Sequence, residues 1–296
     1  MSVQRHLVDR IREHENGRFA KFLRSLLDGG PWSECAECAD EFTLPSPRSE
    51  VLRINNPNGR TRVCGSDRED IEVRACKRAR AESSEAAENL LQHIKVSANE
   101  NDDALTIEIE APKRWNRRGQ VFLQVSVPRG LRVEVNAING RIDIQCIRGT
   151  VIARSTNGSA NIADVIGDIE IVTSNAKVAC SCTCGKIVAR STNGKIVLEG
   201  HRGSIDASTS NGLIRVGLDA VGKDGVVLAT SNGRIALQLP ENVDADVDLR
   251  VDNGIIRNER SLCKALRESN GVVRGRLGEG GALIKLRTSN GSISLR

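Results

Sequence analysis

The chain has 296 residues, enough for one large or two small domains, with 39% hydrophobic residues, 2% aromatic and no tyrosine. A core of Ile, Val, Leu and Ala with so few rings suits many thin, repeated layers better than one thick globule. The formal net charge of +5 is too weak to single out a nucleic-acid or membrane partner, and no stretch approaches the roughly 18 apolar residues of a transmembrane span.

Residues 1–40 read as an N-terminal helical segment. The opening stretch, MSVQRHLVDRIREHENG, holds no continuous apolar run, so no secretory leader is read and a cytoplasmic location is the expectation. Nine cysteines, an odd number, fit a reduced compartment. Phe19, Phe22, Leu23, Leu26 and Leu27 make one apolar face, Arg18, Lys21 and Arg24 lie off it, and Gly29-Gly30-Pro31 stops the helix. A basic amphipathic helix can lie on a membrane surface. The preferred reading is a cap over an open solenoid end or a helix for self-association. Cys35 and Cys38 form a CxxC pair, half of a zinc site and a weak metal candidate, because no second pair and no nearby histidine completes it. Residues 41–50, with Pro45 and Pro47, read as a linker.

Residues 51–138 read as elaborated first coils. The stretch from Val51 to Ala75 alternates like strands around Asn58-Gly59. Ala87, Leu90, Leu91 and Ile94 follow helical spacing, with Ser83 or Ser84 as the cap. A hairpin is expected to turn at Asn101-Asp102-Asp103, and two further strands break at Pro128-Arg129-Gly130.

From residue 139 to 296 one phrase recurs. Asn-Gly falls at Asn139, Asn157, Asn193, Asn211, Asn232, Asn253, Asn270 and Asn290, with Asn175-Ala176 filling the gap. Three residues after the Asn stands an apolar residue, as at Ile142, Val178, Ile196 and Ile214, and two further on another. Ten residues after it the first four units have Gly149, Gly167, Gly185 and Gly203, each followed by a second alternating strand. Asn-Gly also marks hairpins, so a meander is the alternative. Agreement of every column from unit to unit favours coils stacked in register. The expected fold is all-β, a β-solenoid with two short strands per 18–21-residue coil. The Asn residues form a structural corner ladder, with a left-handed backbone at the turn.

Chemistry is sparse. Cys180, Cys182 and Cys184 would share one strand face, with Cys180 in the core column, so they read as core rather than metal ligands. Glu170 and Asp206 share an outward column but stand two rungs apart, with Val188 between, which suits a carbohydrate-active enzyme poorly. Neither a cofactor nor an enzymatic activity is expected. Arg141, Lys177 and Lys195 on one side of the Asn corner, and Arg154 and Arg190 on the other, form a candidate anion-binding ridge. With few aromatics there is no stacking platform, so sequence-specific nucleic-acid binding is not expected.

The order INNPNG, an alternating strand, a Glu/Ala-rich helix, VPRG and repeated STNG, TSNG and SNG units resembles the bacterial putative-adhesin family of unknown function, over residues of about 50–296. The resemblance implies a β-solenoid, often at the cell envelope, with adhesion proposed and no catalytic residues. The resulting expectation is a non-enzymatic adhesin-like binding or scaffold protein whose partner is an anionic glycan or polymer. The alternative is a scaffold that self-associates through its solenoid ends or the N-terminal helix.

Overall fold

A computed structural model describes residues 34–111, 119–268 and 271–296. Among them are 19 strands, joined in one continuous hydrogen-bonded sheet, and one helix. The first elements are β1 (Glu34–Pro45), β2 (Val51–Asn58), β3 (Thr61–Ser66), β4 (Asp70–Ala81), α1 (Ser84–Gln92), β5 (Lys95–Glu100), β6 (Leu105–Glu110) and β7 (Gly119–Pro128). The repeating body follows as β8 (Arg132–Asn139), β9 (Ile142–Ile147), β10 (Val151–Ser155), β11 (Ala160–Ile166), β12 (Ile169–Thr173), β13 (Val178–Ser191), β14 (Ile196–Asn211) and β15 (Ile214–Gln238). The chain closes with β16 (Ala245–Asn258), β17 (Cys263–Glu268), β18 (Val272–Leu277) and β19 (Ala282–Leu295).

In the body, successive coils pair in parallel with equivalent residues facing each other. Ile142 is opposite Ala160, Ala160 opposite Val178, Val178 opposite Ile196, and Ile196 opposite Ile214. All five are buried. Alternate residues on each strand face inward, so the two walls of the coil close one continuous core of Ile, Val, Leu and Ala.

Three local devices turn the coil. One is a column of left-handed residues that alternation alone does not reveal: Cys146 (φ 60), Asp164 (φ 50), Cys182 (φ 52) and Gly200 (φ 62), each 18 residues after the last. Pairing passes from Ala163↔Ser181 to Val165↔Thr183 with the 18-residue register kept, so each is a left-handed kink stacked on the one before. The kink resets the alternation. Cys180 stays buried, while Cys182 and Cys184 are exposed, so the three cysteines do not share a face as expected. Glycine makes the next turn, with Gly167, Gly185 and Gly203 at φ of 146, 130 and 144.

The Asn corners divide against the expectation. Gly158, Gly194, Gly212 and Gly233 are absent from the left-handed residues, and so is Ala176, whereas Gly254, Gly271 and Gly291 take the expected positive φ of 152, 70 and 150. At the glycine corners the coil beneath crowds the Cβ position, although Ala176 fills the equivalent place on one rung. A Cβ on Gly158 would stand 1.6 Å from the carbonyl oxygen of Gly140, and one on Gly233 1.8 Å from that of Gly212.

The ends depart from simple coil-on-coil order. At the start, β2 lies between β6 and β8, and β3 between β7 and β9, all in parallel. At the finish, β19 lies between β15 and β16. The unit beginning at Asn270 is not a rung: β17 and β18 form an antiparallel hairpin, and β18 runs antiparallel to β16. Asn270 itself lies outside the described residues.

The segment expected to finish a helix and then form a linker is a strand. β1 pairs antiparallel with β4 from Glu34↔Ala81 to Pro45↔Asp70. Phe42 and Leu44 turn inward and pack on the core, and Pro45 stands at the last position of an edge strand, where its missing N–H costs no ladder bond. Pro47 to Glu50 is a tight turn, closed by Glu50 N–H donating to the Pro47 carbonyl at 3.1 Å. The helix expected from Phe19 to Leu27 lies outside the described residues. Helix α1 is capped by Ser83, whose side chain accepts from Ala86 N–H, and it buries Ala87 and Leu90. The β5–β6 hairpin turns at Asn101, whose side chain accepts from the Asp103 and Ala104 amides.

Candidate functional site

The Asn corners carry a ladder of side-chain hydrogen bonds along one exposed edge. Asn157 donates to Asn139, Asn175 to Asn157, Asn193 to Asn175, Asn211 to Asn193 and Asn232 to Asn211, at 2.9–3.1 Å. The ladder then follows space rather than sequence. Asn290 donates to Asn232 at 3.0 Å and Asn253 to Asn290 at 3.1 Å. Two residues before Asn157, Asn211 and Asn290, a buried hydroxyl braces the turn. Ser155 Oγ accepts from Gly158 N–H at 2.9 Å, while Thr209 and Thr288 donate to the carbonyls of Gly194 and Gly233 at 3.3 Å. The recurring phrase therefore joins a brace, a ladder rung and a residue with no side chain.

The candidate basic ridge is largely neutralised within the fold. Arg141 Nε donates to Asp143 at 2.8 Å, Arg154 to Glu170 at 2.7 Å, and Arg190 grips Asp206 through both terminal nitrogens. Burial pushes the Asp143 carboxyl up. Hydrogen bonds from Arg60, Arg141 and Asn161 outweigh burial and hold it below the usual carboxylate range. Lys177 and Lys195 remain. They are exposed, stand on adjacent rungs beside the ladder, and have no carboxylate partner among the described residues. Their backbones are joined indirectly, Ala160 N–H bonding the Lys177 carbonyl and Val178 N–H the Lys195 carbonyl.

The carboxylates that an enzyme would need are engaged in the same pairs. Glu170 faces Val188 and Val188 faces Asp206, so the two acids are separated by a full rung. Each is tied to its arginine.

Cys35 and Cys38 do not converge. Three residues apart on β1, they point to opposite faces, one in register with Arg80 and the other with Lys77. Among the described residues, no group of three or more His, Cys, Asp or Glu is placed to hold a metal ion. Burial pushes the Cys180 thiol up to about 12, as for an inert core residue. His201 is a feature that sequence reasoning did not single out. It is fully buried in the column of Ile147, Val165 and Thr183, with Nδ1 2.9 Å from Thr183 Oγ1. Burial lowers its pKa. Its spacing of 18 residues from Thr183 was the available clue; the unforeseen kink hid which face it takes.

The fold and its edge define a class: a β-solenoid with braced, laddered corners, whose outward charges are mostly paired across rungs. Among the described residues no helix is long and apolar enough to cross a membrane. The chain belongs to the Toastrack DUF4097 family, whose model matches residues 50–296. Similar solved structures include a putative adhesin from Bacteroides fragilis, 9% identical over 88% of this chain and 97% of that chain, with a TM-score of 0.43. A putative adhesin from Parabacteroides distasonis is 10% identical over 88% and 97%, with a TM-score of 0.39. A putative lipid binding protein from the same species is 12% identical over 88% and 96%, with a TM-score of 0.34. No curated protein matches the chain significantly.

Proposed function

We propose that this chain is a non-enzymatic, adhesin-like binding module for an anionic polymer, acting at the cell envelope. The observation that carries the reading is the pair Lys177 and Lys195, exposed and stacked on adjacent rungs where the other ridge cations are already neutralised. Stacked like charges repel, and a polyanion laid along them relieves that repulsion while releasing its counterions. Locking Glu170 and Asp206 into arginine pairs supports a static surface over an acid–base site. Polymerisation through the solenoid ends is the weaker reading. The exposed edge strand β1 carries Glu34, Glu37 and Glu41, and charges on an edge discourage strand addition.

The test is binding of the full chain to a heparin-type glycan across a salt series. Binding that falls steeply with salt, and is weakened at low salt by Lys177→Glu with Lys195→Glu at unchanged melting temperature, is the expected result. No binding at low salt sinks the reading, and release of reducing sugar would overturn the non-enzymatic part. Protease shaving of intact cells checks the envelope location.

A further inference from the structure

Inserting β19 between β15 and β16 builds a surface that neither neighbour has alone. Arg287 on β19 is in register with Ala229 on one side and Arg250 on the other. Ala229 is in turn in register with Ser208 on β14. The outward side chains on the β14–β15 side are short, so a trough of about 610 Å³ opens there. Its floor includes Ser208, Ala229 and Ser231, and Arg250 and Arg287 stand together at its wall. Neighbouring strands lie about 4.8 Å apart, so the two guanidiniums share one short stretch of wall. Asp252 reaches Arg250 at 3.5 Å, with both side chains more than half exposed. Arg287 is exposed and has no ion-pair partner among the described residues. One carboxylate therefore faces two arginines.

We infer that this trough is the seat of an acidic glycan, with Arg287 and Arg250 holding a sugar carboxylate or sulfate and the serine row bonding sugar hydroxyls. The inference rests on the polyanion reading above and locates its specific contact away from Lys177 and Lys195. A guanidinium offers a planar fork of donors that matches an oxyanion through two parallel bonds. Serine hydroxyls donate and accept, as a polyhydroxylated chain requires. No aromatic side chain lines the trough, which leaves a nucleic acid without a surface on which to stack its bases. The volume falls within the range of about 300–1,000 Å³ usual for ligand sites.

The experiment measures the dissociation constant of the full chain for a heparin-type hexasaccharide and for single-stranded DNA of equal charge, at low and moderate salt. Arg287→Gln should weaken glycan binding about tenfold or more, as for the loss of a charge-assisted hydrogen bond. Arg250→Gln should weaken it less, and Asp252→Asn should tighten it. These substitutions are on exposed side chains, so unchanged melting curves confirm the fold. Lys177→Glu with Lys195→Glu should weaken binding only at low salt, because its contribution is long-range. If the native chain binds but the Arg287 and Arg250 variants bind equally well, the trough is overturned and the polyanion reading stands. If the native chain binds no polyanion, both fall. DNA that binds as tightly as the glycan, with the same dependence on Arg287, overturns the glycan assignment.

Discussion

From β8 to β14 each coil lies on the coil made just before it, and pairing partners are 18 residues apart. At the two ends the order breaks. β2 is held against β8, as in Val51↔Arg132, and β15 against β19, as in Asn232↔Asn290. Closing these longer loops instead of an 18-residue one costs on the order of 1 kcal/mol more each, because loop entropy grows only with the logarithm of length. In return, both terminal coils are paired on two sides. The outermost positions go to antiparallel hairpins and, at the start, to a short helix. A solenoid that stopped on its last coil would leave a parallel edge open to any strand.

The comparison is tested most severely by removing β19. Ending the chain at Gly281 exposes the facing edges of β15 and β16 and loses buried Ile284, Leu286, Ile293 and Leu295. At about 1.5–3 kcal/mol each, the loss is roughly 6–12 kcal/mol, as large as a typical domain's whole stability. Hydrogen exchange should show protection lost from residue 226 onward while the body up to β13 keeps it. Uniform protection would mean that insertion is not what holds the end.

Within the body, Ile196→Asp places an unpaired charge in the buried column and should cost several kcal/mol in chemical denaturation. Val197→Asp, on the outer face between Ala179 and Arg215, should be nearly neutral. Equal effects would contradict the inward–outward alternation.

The Asn corner separates close approach from backbone strain. Gly158→Ala drives a Cβ into the Gly140 carbonyl and should destabilise by about 1–3 kcal/mol, the usual range for overpacking. Ala176→Gly relieves no left-handed strain, since Ala176 has none. It frees the unfolded chain instead and should cost about 0.4–1 kcal/mol. A gain in melting temperature for Ala176→Gly would restore the left-handed reading of this corner.

The smallest effect is pH-dependent. Burial holds the His201 imidazole below its ordinary 6.5 in the folded chain, so the unfolded chain binds that proton more readily. The stability tied to a neutral His201 is present above about pH 6.5 and is lost as pH falls below it. His201→Leu should flatten the decline in the urea midpoint between about pH 7 and pH 5. An unchanged slope would assign the decline to other groups.

Sequence alone determined the repeating body, because a coil's neighbours in space are also its neighbours one period away in the chain. Ile142, Val178 and Ile196 could be placed in one column by counting, and Glu170 and Asp206 in another. The physical role of the Asn-Gly glycine was not legible, since crowding by the coil beneath leaves the same residue as a left-handed turn does. The kink at Cys146, Asp164 and Cys182 was hidden too, because its residues share a backbone angle and no side-chain chemistry. The strand from Glu34 to Pro45 gained its identity only by pairing with β4. Tertiary structure alone decided the ends and the trough. Arg250 and Arg287 are 37 residues apart, a separation that belongs to no period of the chain, and they stand together because β19 is inserted out of order. Long-range pairing of this kind depends on which edges remain open after the regular coils have formed, and that is a property of the assembled stack.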